Sequence, residues 1–75
     1  MTSEQIVQAM CKEIVKEGCR TQDEVEEFLC WFNSSLSYVY ENKRWYKALM
    51  KLESTNPSEC QNVLNEVRQS AKWYI

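Results

Sequence analysis

The chain contains no histidine, and glycine and proline occur once each among its 75 residues. Nucleophilic catalysis by cysteine needs a base and an orienting group, and without histidine no such constellation is visible. Sheet-rich folds need many tight turns, which consume glycine and proline. The scarcity of both residues also excludes glycine-rich phosphate loops. The sequence therefore predicts an all-α protein without enzymatic activity, built from a few long helices with short links.

Long apolar segments and a strong excess of either charge are also missing. The longest apolar run, residues 28–32, is far shorter than the roughly 20 residues that cross a membrane. With 9 basic and 11 acidic side chains, the net charge of −2 is not that of a general polycation for nucleic acid or anionic lipid. Residues 1–5 are polar and do not resemble a secretory signal. We expect no membrane partner and a cytoplasmic location, in the producing cell or in a host cell.

Four cysteines, at positions 11, 19, 30 and 60, form no Cys-x-x-Cys pair, and no histidine is present to complete a zinc site. Cys11 and Cys60 fall on the apolar side of helical patterns, where a free thiol behaves as a small hydrophobic group. We expect four reduced thiols, no metal and no cofactor. A disulfide is the first alternative and a zinc site the second.

Start and stop signals bound the first predicted helix, at residues 3–17, and start signals mark the last, which no Gly or Pro ends and which is predicted at residues 57–73. Thr2 and Gln5 have the spacing of a capping box, and Gly18 supplies the left-handed residue that ends a helix. Asn56 and Pro57 place a cap and a proline at the start of the last helix. The predicted core stripes are Ile6, Val7, Met10, Cys11 and Ile14 in the first helix, and Cys60, Val63, Leu64, Val67, Ala71 and Tyr74 in the last.

Between these helices, residues 22–53 carry one helical pattern of apolar residues, which Thr21 would cap. Its spacing is kept throughout, and Lys43 is the one polar residue in the apolar row. Its apolar row is Val25, Leu29, Phe32, Leu36, Val39, Lys43, Tyr46 and Met50. One helix of that length would span roughly 48 Å, whereas a globule of this size is about 30 Å across. The sequence predicts a single domain, residues 1–75, forming a three-helix bundle with a long or kinked central helix. The alternative is a compact four-helix bundle, if the central helix breaks near residues 33–43.

A long central helix has consequences for assembly. The first and last helices are too short to cover its apolar rows, and exposed apolar surface of that kind is normally buried against a partner. Two-fold dimers are the commonest oligomers. We therefore expect a homodimer with Leu36, Val39 and Tyr46 near the seam.

A basic stripe is the strongest candidate site for a partner. It consists of Tyr40, Arg44, Lys47 and Lys51, with Lys43 and Trp45 beside it. Spacings of 4, 3 and 4 residues place its four main members on one helical face. Basic side chains with neighbouring aromatic rings bind phosphates and stack on bases, and they also bind acidic proteins. The competing interpretation is an ordinary solvated face, whose cations near the end of a long helix satisfy its dipole.

Aromatic side chains are abundant, with three tryptophans, four tyrosines and two phenylalanines. So small a core cannot bury them all, and exposed tryptophan and tyrosine beside arginine are typical of interaction hot spots. The candidates for exposure are Trp31, Trp45, Trp73 and Tyr74.

The predicted function is a protein–protein interaction module that acts as a regulator, inhibitor or adaptor of another protein, a role also found among phage and mobile-element proteins. The alternative function is a nucleic-acid-binding regulator that uses the basic stripe.

Overall fold

The computed structural model of the chain describes residues 1–31 and 40–75, except for the side chain of Trp31. Across these two ranges the structure is all-helical, which confirms the predicted all-α class, and it measures 32 × 23 × 17 Å. No helix in the described ranges is long and apolar enough to cross a membrane. The helices are α1 (Ser3–Lys16), α2 (Gln22–Trp31), α3 (Arg44–Thr55) and α4 (Pro57–Ala71).

The central segment is not one continuous helix, which was one of the two forms that the sequence left open. Residues 40–43 form a turn, closed by the Lys43 N–H donating to the Tyr40 carbonyl at 2.9 Å. Lys43 then precedes α3 with an extended backbone, at φ −78° and ψ 137°. This break falls within the range, residues 33–43, that the four-helix alternative named. The remainder of that range, up to residue 39, lies outside the described residues.

Lys43, the one polar interruption of the apolar row, explains why the chain turns here. A continuous helix would direct its ammonium group into the core, where an unpaired charge is strongly disfavoured. The turn instead leaves Lys43 partly exposed, with its Nζ atom 3.8 Å from Oε1 of Glu13 on α1. The described molecule is also only 32 Å long, so it could not cover a helix of roughly 48 Å.

The predicted homodimer loses its premise with this break, because residues 40–43 interrupt the long helix whose apolar rows needed a partner. Leu36 and Val39, two residues of the predicted seam, lie outside the described residues. Tyr46, the third, is partly buried against the core, with its ring centre 6.2 Å from that of Trp45. The dimer stays a prediction, and light scattering that gave the mass of one chain at high micromolar concentration would contradict it.

Hydrogen bonds at three helix starts confirm the predicted caps. Thr2 and Gln5 form the capping box, with bonds of 2.9 and 3.2 Å. The Glu24 N–H donates to the Thr21 hydroxyl at 3.2 Å, and the Glu59 N–H donates to the Asn56 side chain at 3.3 Å. The ends are less well predicted, since α4 stops at Ala71 rather than near residue 73.

Helices α1 and α3 run antiparallel, and α4 returns along α1. Lys43 meets Glu13 at one end of the α1–α3 pair, and Thr55 and Ser3 line the same pocket at the other. The buried stripes of α1 and α4 are packed against each other and form most of the core. All predicted members of both stripes are buried except Tyr74, which follows the end of α4 and is 55% exposed. Every core stripe residue of α1 and α4 is thus correctly predicted up to Ala71.

An aromatic cluster joins the turn to α2. The ring of Tyr40 lies 5.6 Å from Phe28 and 5.5 Å from Trp45, and Phe28 and Trp45 are 6.2 Å apart. Such edge and tilted contacts are favourable beyond the area that they bury. The cluster holds the start of α3 against α2, and it thereby fixes the direction in which α3 presents its outer face.

Candidate partner-binding groove

The structure separates the aromatic residues of the predicted basic stripe, which are buried, from its exposed cations. Tyr40 is only 3% exposed and Trp45 only 5%, so both belong to the core and not to an exposed face. The expectation that Tyr40 shares a helical face with the cations is therefore wrong, because Tyr40 lies in the turn before α3. Arg44, Lys47 and Lys51 are exposed along one face of α3, as predicted.

These three cations line a shallow groove between α1 and α3, and Lys12 of α1 joins them. The groove consists of two pockets of about 300 and about 440 Å³, and Met1 lines both of them. We call this surface the basic groove. The first pocket is lined by Met1, Gln5, Gln8, Ala9, Lys12 and Arg44, and the second by Met1, Ser3, Ile6, Lys47, Ala48, Lys51, Leu52 and Thr55.

The lining of the basic groove contains four cationic residues, and none of its described residues is acidic or aromatic. Its other polar groups are amides and hydroxyls, and its exposed apolar part comes mainly from Met1, Ala48 and Leu52. Lys12 was missed by the sequence analysis because its position depends on how α1 pairs with α3, which a pattern along one helix does not reveal. A surface of this composition suits an anionic partner that also has an apolar side.

The helix break reverses the electrostatic setting of these cations. In one long helix they would lie toward the C-terminal end, where the dipole stabilises positive charge. In the structure α3 begins at Arg44, so Arg44 and Lys47 lie in or beside its first turn, at the positive end of the dipole. The last turn of α3 contains no basic residue and includes Glu53. Arg44 and Lys47 therefore oppose the helix dipole, so the dipole does not explain their presence.

Replacing Arg44 by glutamate should stabilise the fold, although it removes a native side chain. The substitution exchanges an unfavourable charge at the N-terminus of α3 for a favourable one, which is worth about 0.5 kcal/mol at low ionic strength. Urea unfolding followed by circular dichroism should show a higher midpoint, and the gain should shrink in high salt. Lys51→Glu, toward the other end of α3, is the control and should give no gain. A lower midpoint for the Arg44 variant would contradict the dipole argument.

The exposed aromatic residues form a separate feature. Trp73 is 89% exposed and Tyr74 is 55% exposed, in the turn that follows α4. That end of α4 lies against the start of α2, where Gln22 donates to the Arg68 carbonyl at 3.2 Å. The basic groove instead reaches Thr55, near the beginning of α4. The predicted partner-binding residues therefore fall on two surfaces, and the side chain of Trp31 is outside the described set.

A third, smaller pocket of about 180 Å³ is lined by carboxylates and by the Cys19 thiol, with Phe28 and Tyr40 beside them. Desolvation by burial, together with the nearby carboxylates of Glu17 and Glu13, raises the pKa of Tyr40 to about 12. Burial, assisted by the charge of Glu24, also raises the pKa of the Cys19 thiol. A thiol with a raised pKa is a poor nucleophile near neutral pH. Within residues 1–31 and 40–75, no group of acidic or thiol side chains is placed to hold a metal ion.

Known proteins provide no counterpart from which to assign these surfaces. The chain matches no protein-family model, no curated protein and no solved structure.

Proposed function

We propose that the protein is a non-enzymatic interaction module that binds another protein through its basic groove and acts as a regulator, inhibitor or adaptor of that partner. The observation that carries the proposal is the placement of Arg44 and Lys47 against the dipole of α3, in a groove that Lys12 and Lys51 extend. Cations that oppose their own helix reduce its stability. A binding role gives these side chains a reason that the fold itself does not provide.

A protein partner fits the basic groove better than a nucleic acid does. Recognition of single-stranded nucleic acid relies on exposed aromatic rings for stacking, and Trp45, the ring expected beside the cations, is in the core. Contacts with a phosphate backbone are made by polar and cationic groups, whereas the groove also exposes apolar surface at Ala48 and Leu52. The net charge of −2 gives no general attraction for polyanions. The nucleic-acid-binding regulator is therefore the second candidate.

Site-specific crosslinking in the source cell tests the proposal. A photo-reactive amino acid replaces Gln8, an exposed residue that lines the basic groove. The matched control carries the same group at Gln61, which is exposed on α4 and does not line the groove. The expected result is a nuclease-resistant protein adduct at position 8 that is missing at position 61.

Two results of this experiment would overturn the proposal. An adduct that nuclease removes would identify a nucleic acid as the partner. The same protein adducts at both positions, or none specific to position 8, would show that the groove is not a protein-binding surface.

A further inference from the structure

We infer that the segment bound in the basic groove is an acidic amphipathic α-helix of the partner protein. The inference rests on the proposed function, since it names the chemistry and shape of what the same groove would bind. It combines three features of the described residues: the helical walls of the groove, its apolar floor, and the cations along its rim.

The groove has the dimensions of a helix-binding site. Its walls are two antiparallel helices, and from Arg44 to Thr55 the α3 wall rises about 16 Å, or about three helical turns. Each of the two pockets contains one alanine, Ala9 in the first and Ala48 in the second. Small side chains at these positions allow a third helix to approach to the usual packing distance of about 8–10 Å.

The groove lacks the features that strand addition and polyproline binding require. Strand addition requires an exposed sheet edge, and the structure is all-helical throughout its described ranges. Polyproline segments dock on aromatic-lined grooves, whereas no aromatic side chain lines this one. A helix bound through residues spaced 3 and 4 apart can use both the cations and the apolar surface of the groove, and its apolar row would contact Met1, Ala48 and Leu52.

Charge determines which helix fits. An ordinary amphipathic helix could bury its apolar row on this floor, but basic residues on its flanks would be repelled by Lys12, Arg44, Lys47 and Lys51. Acidic residues on the flanks would pair with these cations, and those near Arg44 would also lie close to the positive N-terminus of α3. Complementary charge of this kind increases the rate of association and excludes wrong partners.

A selection experiment tests the inference without knowledge of the partner. The folded full chain is used to select binders from a displayed library of random 16-residue peptides. We expect the enriched peptides to be rich in Asp and Glu and to have apolar residues spaced 3 and 4 apart. A selected peptide, once synthesised, should gain helical circular dichroism on binding, and its affinity should fall steeply with salt.

Variants then locate the binding site. Lys47→Glu combined with Lys51→Glu should weaken binding at least tenfold. The matched control, Arg20→Glu combined with Lys72→Glu, makes the same change of charge at exposed cations outside the groove and should leave affinity unchanged. Ala48→Leu fills the floor without changing charge and should also weaken binding. Unfolding midpoints confirm that each variant is folded.

The outcomes separate this inference from the function on which it rests. Selected peptides without acidic bias, peptides that bind in an extended form, or peptides unaffected by the groove variants would overturn the acidic helix. The crosslink at position 8 tests the protein partner independently, and it can succeed when the selection fails. Groove-dependent binding of a random-sequence 20-nucleotide DNA, in place of peptide, would overturn both.

Discussion

Replacing Trp45 by alanine is expected to lower the free energy of unfolding by about 3–5 kcal/mol, which approaches the whole stability of a domain this small. The side chain is buried at the first turn of α3 and contacts the rings of Phe28, Tyr40 and Tyr46. Truncation would leave a cavity among these rings and release the start of α3 from α2. Urea unfolding, or thermal unfolding followed by circular dichroism, measures the loss.

The chain provides a matched control in Trp73, which is 89% exposed in the turn after α4. Trp73→Ala removes the same side chain from a site with little packing, so the free energy of unfolding should change by less than about 0.5 kcal/mol. Similar losses at both positions would contradict the burial of Trp45. A loss of partner binding without a loss of stability in the Trp73 variant would instead reveal a second contact surface.

The four cysteines are expected to differ in alkylation rate by at least about a thousandfold in the native protein. Cys30 is exposed and should react at once, whereas Cys11 and Cys60 are 1% and 5% exposed in the α1–α4 core. Their labelling requires opening of the fold, and about 4 kcal/mol of opening free energy corresponds to a factor of roughly a thousand. Burial also raises the pKa of both thiols, which lowers the reactive thiolate fraction near neutral pH.

Mass spectrometry after timed alkylation measures these rates residue by residue. In urea above the unfolding midpoint, all four thiols should react at similar rates, which controls for intrinsic reactivity. Fewer than four reactive thiols under those conditions would indicate a disulfide or a bound metal, against the expected reduced state. Native labelling of Cys11 as fast as that of Cys30 would show that the α1–α4 core is not packed as described.

Helix starts were predictable from the sequence because their signals are local. Thr2, Thr21 and Asn56 each provide a side-chain acceptor within three residues of the N–H that they cap, so no tertiary information is needed. The break before α3 has no such signal, since Lys43 is an N-cap without a side-chain hydrogen bond. The sequence indicated a break only through weak helix propensity near residues 33–43 and through the excess length of one continuous helix, and the helical periodicity outweighed both.

Only the part of the candidate site that lies on α3 was predictable from the sequence. The spacing of Arg44, Lys47 and Lys51 along α3 was visible in the sequence, because residues on one helix share a face by periodicity. Lys12 and the apolar floor belong to a groove that exists only once α1 and α3 are paired. Trp45 was misplaced for a related reason: its environment is set by Phe28 and Tyr40, which contact it from α2 and from the turn before α3.

Because α3 begins at Arg44, selection for foldedness and selection for partner capture should act on this position in opposite directions. In a library randomised at residue 44 and sorted for resistance to proteolysis, acidic residues should accumulate, since they match the dipole of α3. The same library sorted for capture of an acidic helix should retain arginine or lysine. Sequencing the two sorted populations would therefore separate, at one codon, what the fold requires from what its partner requires.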